Sequence, residues 1–213
     1  MDRAITLDPK DALAYLNRGD AYRAMGRHQE AIQNLDQAIN LGPQSTRVFF
    51  ARGRAYDGLG QFARAIQDFD QAINLNPGYS KAYGNRGLAY RMLDQYQRAI
   101  EDYDKAIQLD PDDADHYGNR GLAYYFLGQR QRAIQDFDKA IQLDPDGALA
   151  YGNRGLAYYE LRQYQLAIQY YDKRLQLDPA NALAYYNRGV AYHDQFQLQR
   201  AIEDYDKAIE LDP

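Results

Sequence analysis

Every proline in this chain stands 34 residues from the next: Pro9, Pro43, Pro77, Pro111, Pro145, Pro179 and Pro213. A fixed period of that length marks one supersecondary unit copied along the chain, which buries its core only by stacking on its neighbours. The period divides the sequence into six units, residues 10–43, 44–77, 78–111, 112–145, 146–179 and 180–213, preceded by residues 1–9. We expect one continuous stack of these units. Such a stack offers an extended surface rather than a single deep pocket.

Each unit reads as two helices. The first carries Tyr-x-Asn-Arg-Gly-x-Ala-Tyr, as at 117–124 and 151–158, and the second Ala-Ile-x-x-Phe/Tyr-Asp-x-Ala-Ile, as at 133–141. Apolar residues recur in both at the helical spacing i, i+3, i+4, i+7. Asp11, Ser45, Asp113, Gly147 and Asn181 stand where the first helix begins and suit an N-cap, with Tyr79 the exception. Gly26, Gly60 and Gly128 fall where it should end, in the place of a left-handed C′ residue. Asp94, Arg162 and Phe196 take that place in the other units, which predicts less relaxed turns. The proline then stops the second helix.

Gly19, Gly53, Gly87, Gly121, Gly155 and Gly189 lie in mid-helix, where glycine costs about 1 kcal/mol relative to alanine. They predict a close approach of the second helix, through Ala31, Ala65, Ala99, Ala133, Ala167 and Ala201. The tyrosine columns, such as Tyr117, Tyr124 and Tyr103, read as core, because aromatic side chains bury large areas.

This pattern resembles the tetratricopeptide repeat family over essentially the whole chain. The resemblance implies an all-α solenoid, a right-handed superhelix of antiparallel helix pairs whose first helices line a concave groove. Two departures stand out. The family's leading tryptophan is Tyr15, Phe49, Tyr83, Tyr117, Tyr151 or Tyr185, and its leucine before the glycine is Arg18, Arg52, Arg86, Arg120, Arg154 or Arg188. Asp36, Asp70, Asp104, Asp138, Asp172 and Asp206 repeat just as regularly on the second helix. An inter-helix arginine–aspartate ladder that fixes register is the expected result.

Composition narrows the function. Lys and Arg number 25 against 30 Asp and Glu, so the chain has no basic excess with which to hold nucleic acid. It has no cysteine, and His28, His116 and His193 are isolated, so neither a metal nor a cofactor is expected. No nucleophile elbow or phosphate loop occurs, and we expect no catalysis within the chain. No apolar run is long enough to span a membrane, and a cytoplasmic location is expected. The opening MDRAITLDP matches the close of a second helix (DKAIQLDP, 138–145). Residues 1–9 should therefore be a partial second helix of a preceding unit, as in a segment of a longer or engineered array. Uncovered ends would then favour head-to-tail self-association.

The sharpest candidate site is an asparagine column: Asn17, Asn85, Asn119, Asn153 and Asn187, broken in the second unit by Ala51. A primary amide donates to a peptide C=O and accepts from a peptide N–H at once, so a row of them can grip an extended backbone. The column resembles the asparagine ladder of a glycosyltransferase member of the family, O-linked N-acetylglucosamine transferase. Around it, Arg23, Arg47, Arg54, Lys81 and Arg91 of units one to three face Asp20 and Asp57. Units four to six offer Asp115, Glu160, Asp194 and His193 on the same helix positions. A ligand acidic toward the first three units and basic toward the last three would fit. Leu122, Tyr125, Phe126 and Tyr159 add apolar surface suited to a ligand side chain. A clamp for a chaperone's C-terminal carboxylate is incomplete, because Leu149 and Asn153 stand where two cations should. The expected function is a scaffold that binds an extended peptide or protein segment. The alternatives are the substrate-recruiting arm of a larger enzyme and a structural or designed repeat with no dedicated ligand.

Overall fold

The computed structural model of the chain describes residues 8–42 and 45–213. Twelve α-helices fill the described residues, in two compact units, one up to Pro111 and one from Asp112. The expected helix over residues 1–9 lies almost wholly outside the described residues.

The first unit holds α1 (Ala12–Ala24), α2 (His28–Leu41), α3 (Thr46–Gly58), α4 (Phe62–Leu75), α5 (Ser80–Met92) and α6 (Tyr96–Leu109). They pair as hairpins α1/α2, α3/α4 and α5/α6, and each hairpin packs on the next through α2/α3 and α4/α5. The second unit repeats this with α7 (Ala114–Phe126), α8 (Arg130–Leu143), α9 (Ala148–Glu160), α10 (Tyr164–Leu177), α11 (Ala182–Asp194) and α12 (Leu198–Leu211). The second helices stop two residues short of Pro77, Pro111, Pro145, Pro179 and Pro213, as a ring without an N–H requires.

Local chemistry sets the helix ends. Asp11 accepts from the Leu13 and Ala14 N–H groups, Ser45 from Val48, Asp113 from Asp115 and Asn181 from Ala184, whereas Tyr79 and Gly147 offer no side-chain cap. The first helices close in a Schellman turn: Gly60 N–H donates to Asp57 O and Gln61 N–H to Tyr56 O, at 2.8 and 2.9 Å. The turn needs a left-handed residue. Gly26, Gly60 and Gly128 supply φ of 73°, 69° and 79°, while Asp94, Arg162 and Phe196 are held at 57°, 58° and 59° despite their side chains.

The mid-helix glycines are explained by what faces them. A Cβ on Gly121 would lie 2.7 Å from a Phe137 ring carbon, and one on Gly155 2.8 Å from Tyr171. The expected partners, the alanine column, are buried, but the nearest side chains belong to Leu35, Phe69, Tyr103, Phe137, Tyr171 and Tyr205. The alanines contribute only their carbonyls, as Ala31, Ala99 and Ala201 do. Those large side chains are the centre of each hairpin, and Phe69, Tyr103 and Phe137 are wholly buried.

The arginine ladder forms, and it is doubled. Arg86 Nη1 meets Asp70 of the preceding hairpin at 2.5 Å, while its Nε and Nη2 grip Asp102 of its own hairpin at 2.8 and 2.6 Å. Arg52 does the same with Asp36 and Asp68, and Arg188 with Asp172 and Asp204. Arg120 grips Asp136 in the same bidentate way, and Arg154 meets Asp138 at 2.6 Å. The column at Asp68, Asp102, Asp136 and Asp204 escaped the sequence reading because Asn34 and Tyr170 interrupt it. Arg18 donates to Asn34 instead, and Arg154 lies 4.2 Å over the Tyr170 ring. Rings of the tyrosine columns lie beside these guanidinium groups, one at Arg86 (Tyr83, 5.5 Å) and two at Arg188 (Tyr185 and Tyr192, 5.4 and 5.9 Å). The two departures from the family pattern are thus one device, a cation held between carboxylates and aromatic faces. Burial pushes the Asp68 and Asp102 carboxyls up, and the bidentate guanidinium pulls against it.

Candidate functional site

In the second unit, α7, α8, α9 and α10 enclose a cavity of about 410 Å³ lined by Asn119, Asn153, Leu122, Gly118, Leu149 and Arg174, among others. Its origin lies in one sequence column. Leu16, Phe50 and Tyr186 hold the equivalent place in units one, two and six. At Gly118 nothing lies within 4 Å of where a Cβ would stand, so that volume is open.

The asparagines arrive partly preset. Asn119 Nδ2 donates to the Asp115 carbonyl one turn earlier at 2.9 Å, and Asn85 Nδ2 to the Lys81 carbonyl at 2.8 Å. That bond orients each amide and leaves the Oδ1 acceptor and one N–H for another molecule. Asn119 and Asn153 share the cavity, and Asn187 lies outside it. In the first unit Asn17 Oδ1 accepts from Arg47 at 3.2 Å, and Ala51, which breaks the column, is buried.

Arg174 is the residue that sequence reasoning missed. The other five units carry alanine there. The residue is 9% exposed, and Nη2 donates to Asp178 at 2.9 Å. Its other donors have no acceptor among the described residues. Because it departs from a column, periodicity hides it, and only the break itself could have drawn attention. Asp115 and Asp144 also line the cavity, so its polar groups are of both signs.

The expected basic wall of the first three units is partly neutralised. Arg47 is 3.0 Å from Asp20, and Arg23 is 3.5 Å from the same carboxylate. Arg91 Nε is buried with no hydrogen-bond partner, and so is Asp57 Oδ1, whose carboxyl burial pushes up. Arg54 and Lys81 are exposed and enter no ion pair among the described residues. Nor are units four to six free of cations near these positions. Arg130 reaches from α8 to lie 4.2 Å over the Tyr125 ring and 3.5 Å from Glu160.

The expected exposed apolar surface also needs correction. Leu122 and Tyr125 pack on the core of Ala133, Ile134, Phe137 and Ala157, which α8 of their own hairpin and α9 of the next build together. Phe126 is the largely exposed one, at 52%. Tyr159 is half-buried, and its hydroxyl donates to Asp194 at 2.7 Å, which pushes it up to about 12. Among the described residues no group of histidine and carboxylate side chains could hold a metal ion, and no helix is long and apolar enough to cross a membrane.

Family models for the tetratricopeptide repeat match residues 10–77, 80–113, 102–135, 119–182 and 182–213. No curated protein matches the chain in sequence. Among solved structures, MamA is 28% identical with a TM-score of 0.68, over 75% of this chain and 93% of that one. YrrB, described as a tetratricopeptide repeat protein with an unusual peptide-binding site, is 23% identical with a TM-score of 0.66, over 84% and 92%. The Cut9–Hcn1 structure of the APC/C matches all of this chain with a TM-score of 0.85 and 20% identity, over 42% of its own chain. The last two likenesses bear on the fold alone.

Proposed function

The chain belongs to the tetratricopeptide repeat family, and from that premise we propose that it is a non-catalytic interaction module for an extended peptide or protein segment. The cavity shared by Asn119 and Asn153 carries this reading. It joins two amides able to grip a peptide backbone with a space of about 410 Å³, enough for one ligand side chain.

The test is a titration of the whole chain with a random library of extended nonapeptides. Replacing Asn119 and Asn153 by alanine should abolish binding. Gly118→Leu should block it as well without harming the fold, since the new side chain enters open space. Selection of peptides that bind the double alanine variant and Gly118→Leu as well as they bind the parent chain would sink the proposal.

A further inference from the structure

A second cavity, of about 460 Å³, lies where the α9–α10 turn meets the end of α11, lined by Tyr159, Glu160, Arg162, Tyr164, His193, Asp194 and Phe196. Phe196 is the anomaly in it. This bulky residue is held at φ 59°, a left-handed backbone that is strained for any residue with a Cβ. Strain of that kind is usually offset by packing, yet Phe196 is 88% exposed. Nothing within the chain explains why a phenylalanine stands where Gly26, Gly60 and Gly128 serve the other turns.

The hairpin before it shows what the cavity can hold. There the Arg130 guanidinium lies over the Tyr125 ring, donates to the Tyr125 carbonyl and approaches the Glu160 carboxylate. One period later the ring is Tyr159, the carboxylate is Asp194, and the place of Arg130 is taken by Tyr164. The ring and the carboxylate persist, and the cation between them is missing. Tyr164 instead adds a second ring, 5.4 Å from Tyr159 and tilted 49° to it. Asp194 accepts from Tyr159 through Oδ2, while its Oδ1 lies 3.4 Å from His193 Nδ1 and Arg162 acts on the carboxylate by charge alone.

We propose that this cavity receives the arginine side chain of a peptide or protein partner. The planar guanidinium stacks against Tyr164 and Phe196 and donates to Asp194 and Glu160, a combination that a compact ammonium fills less well. Arg162 lines the same space and opposes the cation, so it weakens the site rather than building it. The site is separate from the asparagine cavity and does not depend on it.

The probe is a glycine–serine nonapeptide with one central arginine, titrated into the labelled full chain and followed by backbone amide shifts. Citrulline and lysine versions of the peptide serve as controls. Shifts should centre on residues 159–164 and 193–197, with citrulline at least about tenfold weaker. Phe196→Gly and Arg162→Gly both relieve a left-handed side chain, so both variants keep the fold. The first should weaken arginine binding severalfold and the second should strengthen it. Equal binding of citrulline, shifts confined to Asn119 and Asn153, or weaker binding in Arg162→Gly would each overturn the proposal.

Discussion

Two glycines one turn apart on α7 show how far a residue's worth depends on what faces it. Gly121 meets the Phe137 ring, whereas Gly118 meets open space. We predict that Gly121→Ala loses about 1–3 kcal/mol in urea unfolding, because the ring must shift. Gly118→Ala should instead gain up to about 1 kcal/mol of helix propensity. Similar losses in both would contradict this packing. At the turns, Asp94→Gly should raise the melting temperature, since φ 57° suits glycine better than aspartate. Gly121 and the turn residues were legible in the sequence, because a cap or a turn depends on a few adjacent residues and each of these positions recurs at the same phase. Arg130 was not, since it reaches out of its own helix to a place that periodicity assigns to another, and Arg174 was not, since it stands alone in a column of alanines.

Among whole elements, the doubled ladder predicts an ordering of losses. Arg86→Met leaves Asp102 buried beside a methionine, and we expect a loss of about 3 kcal/mol in urea unfolding. Arg154→Met should lose clearly less, because Tyr170 rather than a buried carboxylate stands opposite. Equal losses would mean that the bidentate pairs do not matter to stability. The outer aspartate column was readable because it is unbroken. The inner one was not, because a column interrupted twice no longer looks like a column. The hairpins themselves were legible from apolar spacing, whereas the cavity on α7 and α9 was not. It depends on a missing side chain at Gly118, and an absence of volume has no signature until the neighbours are in place.

For the molecule as a whole, the tyrosines set an alkaline limit. Burial pushes Tyr79, Tyr103, Tyr125, Tyr171, Tyr192 and Tyr205 above the ordinary 10, and the bond to Asp194 takes Tyr159 to about 12. A raised value in the fold means stability that is complete below the unfolded value and is lost as pH rises toward the folded one. Melting temperature should therefore hold up to about pH 9 and fall steeply between about pH 10 and 12, with ionisation of the buried Tyr103 and Tyr171 coinciding with helix loss. Ionisation of either ring with helix intact, read from the difference in tyrosinate absorbance against Tyr103→Phe and Tyr171→Phe, would contradict it. The ladder has one more consequence, which concerns descent. A break at a proline severs only the single, half-exposed tie between neighbouring hairpins, such as Arg86 to Asp70, and spares the forked, buried tie within each. A break half a period away would sever the forked tie and strand a carboxylate in the interior. Segments exchanged or duplicated in the first phase should keep every forked tie, and those in the second should lose one at each junction. The phase of inheritance in such an array is written into its ion pairs.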